Sequence, residues 1–316
     1  MIKSARKRRD KITIIGAGNV GATAAHWAAA RHLGDIVLVD KNEGLAEGKA
    51  LDLMATAPVE HTDYNVVGSS GYEETAGSDV IIITAGLSRK PGMSRDDLLL
   101  KNFEVVKSCT NQVIKHSPDA LIIVVTNPVD VMTYAVRRVS GIEKNRVVGM
   151  AGLLDTARLR LFVAMELGIS VEDVKAFVLG GHGDSMVPLV RYCYAGGIPI
   201  EKIIPAERIK AIVERTRNAG AEIVSLLKKG SAYYSPAAAT VQMAETILKD
   251  KRRIIPCSAC LDGEYGVFDE LYVGVPVILG GDGVERVLEI ELTEEEKEAL
   301  NRSVEDIREN VKLLPF

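Results

Sequence analysis

Lys11-Ile-Thr-Ile-Ile15 runs straight into Gly16-Ala17-Gly18-Asn19-Val20-Gly21, and that into Ala22-Thr-Ala-Ala-His26-Trp-Ala-Ala-Ala30. A short β-branched run followed without a linker by an alanine-rich stretch reads as strand, tight turn and helix. The three glycines suit that turn. The first permits the bend, the second lets a pyrophosphate approach the backbone, and the third lets the helix pack close, while the helix's first N–H groups face the turn unpaired. A lone GxGxxG is a weak signal. Here the next run, Ile36-Val-Leu-Val-Asp40, ends in an acid 19 residues after Gly21. A carboxylate there can accept from adenosine ribose hydroxyls and would repel a 2′-phosphate. Strand, loop, helix and acid in register point to a dinucleotide site that prefers NAD over NADP.

Outward from this unit, apolar runs alternate with helical patterns: Glu43 to Thr56, Val80 to Thr84, Asp97 to His116, Leu121 to Thr126 and Val129 to Val139. Continuous Val/Ile runs suit strands covered on both faces, and the helices supply the crossovers that parallel strands need. The expected fold class is therefore α/β, with an N-terminal doubly wound parallel sheet of the Rossmann type. Beyond Gly149 the rhythm changes. A long helix (Leu153 to Leu167), short strands around Val174 to Leu179 and Ile254 to Leu261, a strand pair near Tyr272 to Leu279, and helices over Glu207 to Lys228 and Pro236 to Lys249 read as α+β. A last helix opens with Thr293 and Glu296 at capping-box spacing. The expected division is 1–150 for the cofactor, residues 1–10 being a basic, frayed extension, and 151–316 for the substrate.

Length and composition set the outer bounds. A chain of 316 residues that is 47% hydrophobic and 26% charged, with 28 glycines, has ample core and is neither disordered nor collagenous. Its net charge of −4 argues against a general nucleic-acid partner. No apolar run approaches the roughly 20 residues needed to span a bilayer, and Ile12 to Ile15 is too short for the apolar core of a signal peptide. Four scattered cysteines fit a reducing compartment, so a cytoplasmic location is expected. Only Cys257 and Cys260 form a CxxC pair, with no second pair to complete a zinc site. On a strand they would also point to opposite faces, so both are read as structural and no metal is expected.

Four segments carry candidate chemistry. Ala85-Gly-Leu-Ser-Arg89-Lys-Pro-Gly92-Met-Ser-Arg95-Asp-Asp follows the Val80 strand, at the carboxyl edge where open α/β sheets bind ligands, so Arg89 and Arg95 can reach one anion. Arginines on surface loops are also common without function. Thr126-Asn127-Pro128 ends another strand at the same edge, and Asn127 is placed to meet both cofactor and substrate, although Asn-Pro is equally a turn former. Gly152-Leu-Leu-Asp155-Thr-Ala-Arg158 puts an acid and a guanidinium three apart on one helix face. Gly180-Gly-His182-Gly-Asp184-Ser sets a histidine among glycines. If Asp155 accepts from one imidazole nitrogen it fixes the tautomer, and the other nitrogen can exchange a proton with a substrate oxygen. Standing alone, these two segments read equally well as a surface ion pair and a histidine in a glycine turn.

Taken together, GAGNVG, Asp40, RKPGMSR, VTNP, LDTARLR, GGHGDS and GSAYYSPAA resemble the lactate/malate dehydrogenase family in order and spacing, from Lys11 to nearly the end of the chain. The resemblance implies NAD bound by Gly16, Ala17, Gly18, Asn19, Val20, Gly21 and Asp40, with Asn102, Val125, Thr126 and Asn127 on the nicotinamide side. It implies His182 as proton donor and acceptor, Asp155 as its holder, and Arg158 as a bidentate clamp on the substrate's C1 carboxylate. Arg95, on a loop that closes over the site, would polarise the reacting carbonyl. Where lactate-specific members carry a neutral residue, this chain has Arg89, which matches the malate branch, as does Ala232. The implied substrate pair is malate and oxaloacetate, with lactate or mixed 2-hydroxy-acid oxidation as the alternative and a non-catalytic nucleotide-binding scaffold as a remote one. Relatives are dimers or tetramers, so a homo-oligomer is expected, tetramer before dimer. The chain departs from the family pattern at Leu87-Ser88, where a proline often precedes the arginine, at Cys260, where an aromatic is frequent, and in its basic extension.

Overall fold

Strands buried on both faces dominate the first half. β1 (Lys11–Ile15), α1 (Asn19–Ala30), β2 (Asp35–Val39), α2 (Glu43–Met54), the one-turn α3 (Ala57–Glu60), β3 (Val66–Ser69), β4 (Val80–Ile83), α4 (Arg95–His116), β5 (Leu121–Val124), α5 (Val129–Ser140) and β6 (Val147–Gly149) follow in order. The computed structural model describes residues 8–87 and 94–316. Arg89, with its neighbours from 88 to 93, and the extension from 1 to 7 lie outside the described residues. The second half comprises α6 (Gly152–Leu167), β7 (Val174–Lys175), β8 (Val178–Leu179), β9 (Val187–Pro188), β10 (Tyr194–Ala195), β11 (Ile198–Pro199), α7 (Ala206–Leu227), α8 (Tyr234–Leu248), β12 (Arg253–Cys260), β13 (Tyr272–Gly280), β14 (Gly283–Val287) and α9 (Glu294–Lys312).

The main sheet has the order β14-β13-β12-β6-β5-β4-β1-β2-β3. From β3 to β6 all pairings are parallel, with Ile14 opposite Leu38 on one side and Ile82 on the other. The strand order runs outward in opposite senses from β1 and β4, which opens a crevice at their carboxyl ends. Val80, Ile81, Ile82 and Ile83 have no exposed surface, because helices cover both faces; each such side chain contributes about 1.5–3 kcal/mol by burial.

Several expectations are refined. The sheet does not stop near residue 150: β12, β13 and β14 extend it antiparallel, joined through Ser258 opposite Gly149. The stretch Val174 to Leu179 is two short strands in separate sheets, β7 pairing with β10 and β8 with β9. The pair expected near Tyr272 is one long strand between β12 and β14. Arg95 is not in a loop. Ser94 and Asp97 form a reciprocal capping box, so α4 begins at Arg95. The frayed start is also corrected at its last three residues. Arg8 bonds both oxygens of Asp79 at 2.7 Å, Arg9 lies 3.5 Å from Asp35, and the Asp10 carbonyl accepts from Asp35 N.

The Thr293–Glu296 capping box opens α9 as its spacing predicts. Cys257 and Cys260 pack into different hydrophobic clusters on the two faces of β12, and burial pushes each thiol up to about 12.

Candidate active site

The crevice between β1 and β4 holds a cleft of about 540 Å³, lined among others by Gly16, Gly18, Asp40, Tyr72, Gly86 and Leu87. Its floor is the turn after β1. A Cβ on Gly21 would sit 1.8 Å from the Gly16 carbonyl, so only glycine lets α1 pack this close, whereas a Cβ on Gly18 would face open space. No side chain caps α1 and no acid occupies its first turn, leaving its amides available to an anion. These features fit a bound pyrophosphate. Asp40 follows β2 at the cleft wall. One of its oxygens accepts from Ala17 N at 2.8 Å and the other from Asn42 N at 3.0 Å, tying the acid to the glycine turn. Lys49 donates to the Ala17 carbonyl at 2.7 Å and holds the same turn from α2.

On the other side of the crevice, Asn102 is buried on α4. Its side chain accepts from Leu87 N at 2.7 Å and donates to the carbonyls of Asn127 and Leu87 at 2.7 and 3.3 Å. Thus Asn102 ties the strand-end segments after β4 and β5 together. Thr126 donates to the Ala85 carbonyl at 2.7 Å, Val125 is buried, and the Asn127 side chain is exposed.

The cluster around His182 lies where α6 meets the turn after β8. His182 Nδ1 is 2.7 Å from Asp155 Oδ2, and because a carboxylate only accepts, Nδ1 carries the hydrogen and Nε2 is left for another partner. The second Asp155 oxygen takes a 3.3 Å bond from Arg158. Asp155 is 2% exposed at its side chain, Arg158 12% and His182 17%, so this is a buried triad rather than a surface ion pair. Arg158 Nε is buried without a hydrogen-bond partner among the described residues, leaving a guanidinium edge for an anionic group. Burial disfavours charge on the imidazole, yet the charge and hydrogen bond of Asp155 outweigh it, and the His182 pKa is raised above 6.5.

Arg95, at the first turn of α4, is largely exposed and pairs with Asp184 at 3.4 Å, two residues beyond His182. Asp155, Arg158 and His182 are therefore brought together, with Arg95 at the edge of the same turn; Arg89 lies outside the described residues.

Two side chains around His182 escaped the sequence reading. Asp130, 5% exposed in the first turn of α5, accepts from His182 N at 2.9 Å, and its burial raises its pKa. Ser303, fully buried on α9, accepts from Gly181 N at 2.7 Å. An acid two residues after Pro128 reads as an ordinary helix-start acid, and a serine within a charged amphipathic helix carries no signal.

Residues 10–149 match the family model of the lactate/malate dehydrogenase NAD binding domain, and residues 153–314 match that of the family's alpha/beta C-terminal domain. A malate dehydrogenase of Desulforudis audaxviator is 61% identical over 301 residues, covering 95% of this chain and 97% of the relative. The solved malate dehydrogenase of Salinibacter ruber superposes with a TM-score of 0.92 at 51% identity, covering 96% and 97% of the two chains. The lactate dehydrogenase of Cryptosporidium parvum, solved with lactic acid and NAD, gives 0.94 at 41% identity, covering 97% and 98%. The two family models together span nearly the whole chain, and with a relative 61% identical over 95% of it they show that this chain belongs to the lactate/malate dehydrogenase family.

Proposed function

We propose that this chain catalyses the reversible, NAD-dependent oxidation of (S)-malate to oxaloacetate. The observation that carries the reading is the buried Asp155–His182 couple beside Arg158. NAD supplies the hydride acceptor or donor when bound. Asp155 holds the imidazole by Nδ1, so Nε2 takes the malate hydroxyl proton in oxidation and returns it in reduction. Arg158 grips the C1 carboxylate with its unpartnered edge. Arg95 leaves Asp184 to polarise the C2 carbonyl, and Arg89 pairs with the distal carboxylate. Asp40 selects NAD by repelling a 2′-phosphate. In this reading residues up to about 150 hold the cofactor and lend Arg89 and Arg95 to the substrate, and the remainder supply the acid–base couple and Arg158.

A finer set of assignments goes with it: a cytoplasmic enzyme of the tricarboxylic acid cycle, assembled as a homo-oligomer, tetramer before dimer. No described helix is long and apolar enough to cross a membrane. Leu51 and Val59 on α2 and α3, and Met165 on α6, are at least 60% exposed, as apolar side chains awaiting a second copy would be. Light scattering at micromolar concentration checks this, and a monomer mass refutes it.

Lactate oxidation is the second reading, because the fold alone does not separate the two: the lactate enzyme superposes as well as the malate enzyme, although at 41% rather than 51% identity. NADH oxidation with oxaloacetate and with pyruvate, side by side, tests the choice. If Arg89 pairs with the distal carboxylate in a closed, largely dry site, Arg89→Gln costs about 2–5 kcal/mol, or roughly 30- to 5,000-fold in kcat/KM for oxaloacetate at 1.36 kcal/mol per tenfold. Turnover of pyruvate, which has only a methyl group there, falls little or rises. Arg158→Gln harms both substrates. An unchanged oxaloacetate-to-pyruvate ratio in Arg89→Gln removes Arg89 as the selector.

A further inference from the structure

The turn that carries His182 is glycine on three sides, at positions 180, 181 and 183, so its own sequence does little to fix it. What fixes it comes from elsewhere. Gly180 N donates to the Gly274 carbonyl of β13 at 2.8 Å, Gly181 N to Ser303 Oγ of α9 at 2.7 Å, and His182 N to Asp130 Oδ2 of α5 at 2.9 Å. Three consecutive amides are thus taken by three different elements, while the ring is taken by a fourth, α6, through Asp155. Ser303 also donates to Ser185 Oγ at 3.3 Å, reaching the far end of the turn. The packing leaves no slack. Gly180 has φ of +79°, and a Cβ there would lie 2.7 Å from Ser303 Oγ.

We propose that Asp130 and Ser303 are positioning residues for the proton-transferring imidazole, gripping consecutive amides of its turn from two helices that carry none of the proposed substrate-binding side chains. Asp155 alone sets the ring's orientation but leaves its anchor point free to drift on a glycine hinge. The two amide acceptors remove that freedom, and a displacement near 1 Å at a reacting group can cost on the order of 100-fold in rate. Asp130 acts here as an acceptor: one oxygen takes the His182 amide, and the Ser258 hydroxyl lies beside the carboxyl. Burial, which favours the neutral acid, agrees with that role. An amide oxygen should therefore serve in its place.

The inference rests on the reading of His182 as the acid–base group, and the test keeps the two apart. Ser303→Ala, Asp130→Ala and Asp130→Asn are prepared alongside His182→Asn. For each, kcat and KM with oxaloacetate, the NADH dissociation constant and the primary isotope effect with deuterated NADH are measured. Ser303→Ala and Asp130→Ala are expected to lose about 10- to 100-fold in kcat, with NADH affinity within about twofold and a larger isotope effect as the chemical step becomes limiting. Asp130→Asn is expected to restore most of what Asp130→Ala loses. Wild-type kcat in a folded Ser303→Ala overturns the proposal, as does a loss shared equally by NADH affinity. Asp130→Asn as damaged as Asp130→Ala overturns the acceptor role. Should Asp130→Ala not fold, Ser303→Ala decides, since it removes a single oxygen. A His182→Asn enzyme with wild-type turnover sinks the acid–base reading instead. Crystal structures of Ser303→Ala, with the turn moved or unmoved, then still decide the clamp.

Discussion

At His182, the balance between burial and Asp155 sets a direction for the pH dependence. The raised pKa means that the imidazolium persists above pH 6.5. With His182 in its proposed acid–base role, reduction of oxaloacetate needs the protonated ring and malate oxidation the neutral one. The kcat/KM for oxaloacetate should therefore be level at low pH and fall as pH rises through the raised pKa, with malate oxidation rising over the same interval. Asp155→Asn removes the charge that stabilises imidazolium, so the midpoint of both profiles should move down while turnover drops about 10²–10⁴-fold. A midpoint that stays put would show another group titrating. Asp40 makes the companion case for the cofactor. NADPH should be used far worse than NADH, and comparable kcat/KM for the two would remove Asp40 as the discriminator. Helical spacing and a glycine context offered Asp155, Arg158 and His182 only as one of two even readings, and it was the order of motifs along the whole chain that singled them out. Asp130 and Ser303 were not legible, because their role lies in which backbone amide they meet, and that depends on how α5 and α9 dock.

Among the elements, α1 and α8 are pinned by one carboxylate. Glu245 on α8 takes Lys249 at 3.0 Å, Lys251 at 2.7 Å and Arg31, just past α1, at 3.2 Å. The Lys251 hydrogen bond leads in holding its pKa down at about 2, against an ordinary 4.5. A depressed carboxylate pKa stabilises the fold above the unfolded value and loses that contribution as pH falls through the folded one. Glu245→Gln should thus cost about 1 kcal/mol near neutral pH, modest because its cationic partners are partly solvated. In urea unfolding the gap from wild type should close between about pH 4.5 and 2; a gap that does not change with pH would place the effect in packing. The elements themselves were legible where periodicity was strong, as in α4, α7 and the Val/Ile strands. β3 was not singled out, because Val66-Val-Gly-Ser69 has only two apolar residues. The single strand β13 was read as a pair, because pairing partners are a property of the assembled sheet and not of the segment.

For the molecule as a whole, the sheet running from β3 to β14 makes the two halves one hydrogen-bonded unit. Heating should give one calorimetric transition, with van't Hoff and calorimetric enthalpies agreeing. A fragment ending near residue 150 should aggregate, since removing β12 exposes the β6 edge and its buried neighbours. Two separate transitions would contradict this. The seam itself is narrow. Ser258 stands opposite Gly149, and a Cβ on Gly149 would come within 2.7 Å of the Ser258 Cβ. Recombination between related genes at this natural crossover would therefore not exchange independent modules. A chimaera inherits a working seam only if the glycine from one parent meets a small residue from the other, so these two positions should constrain which hybrids fold.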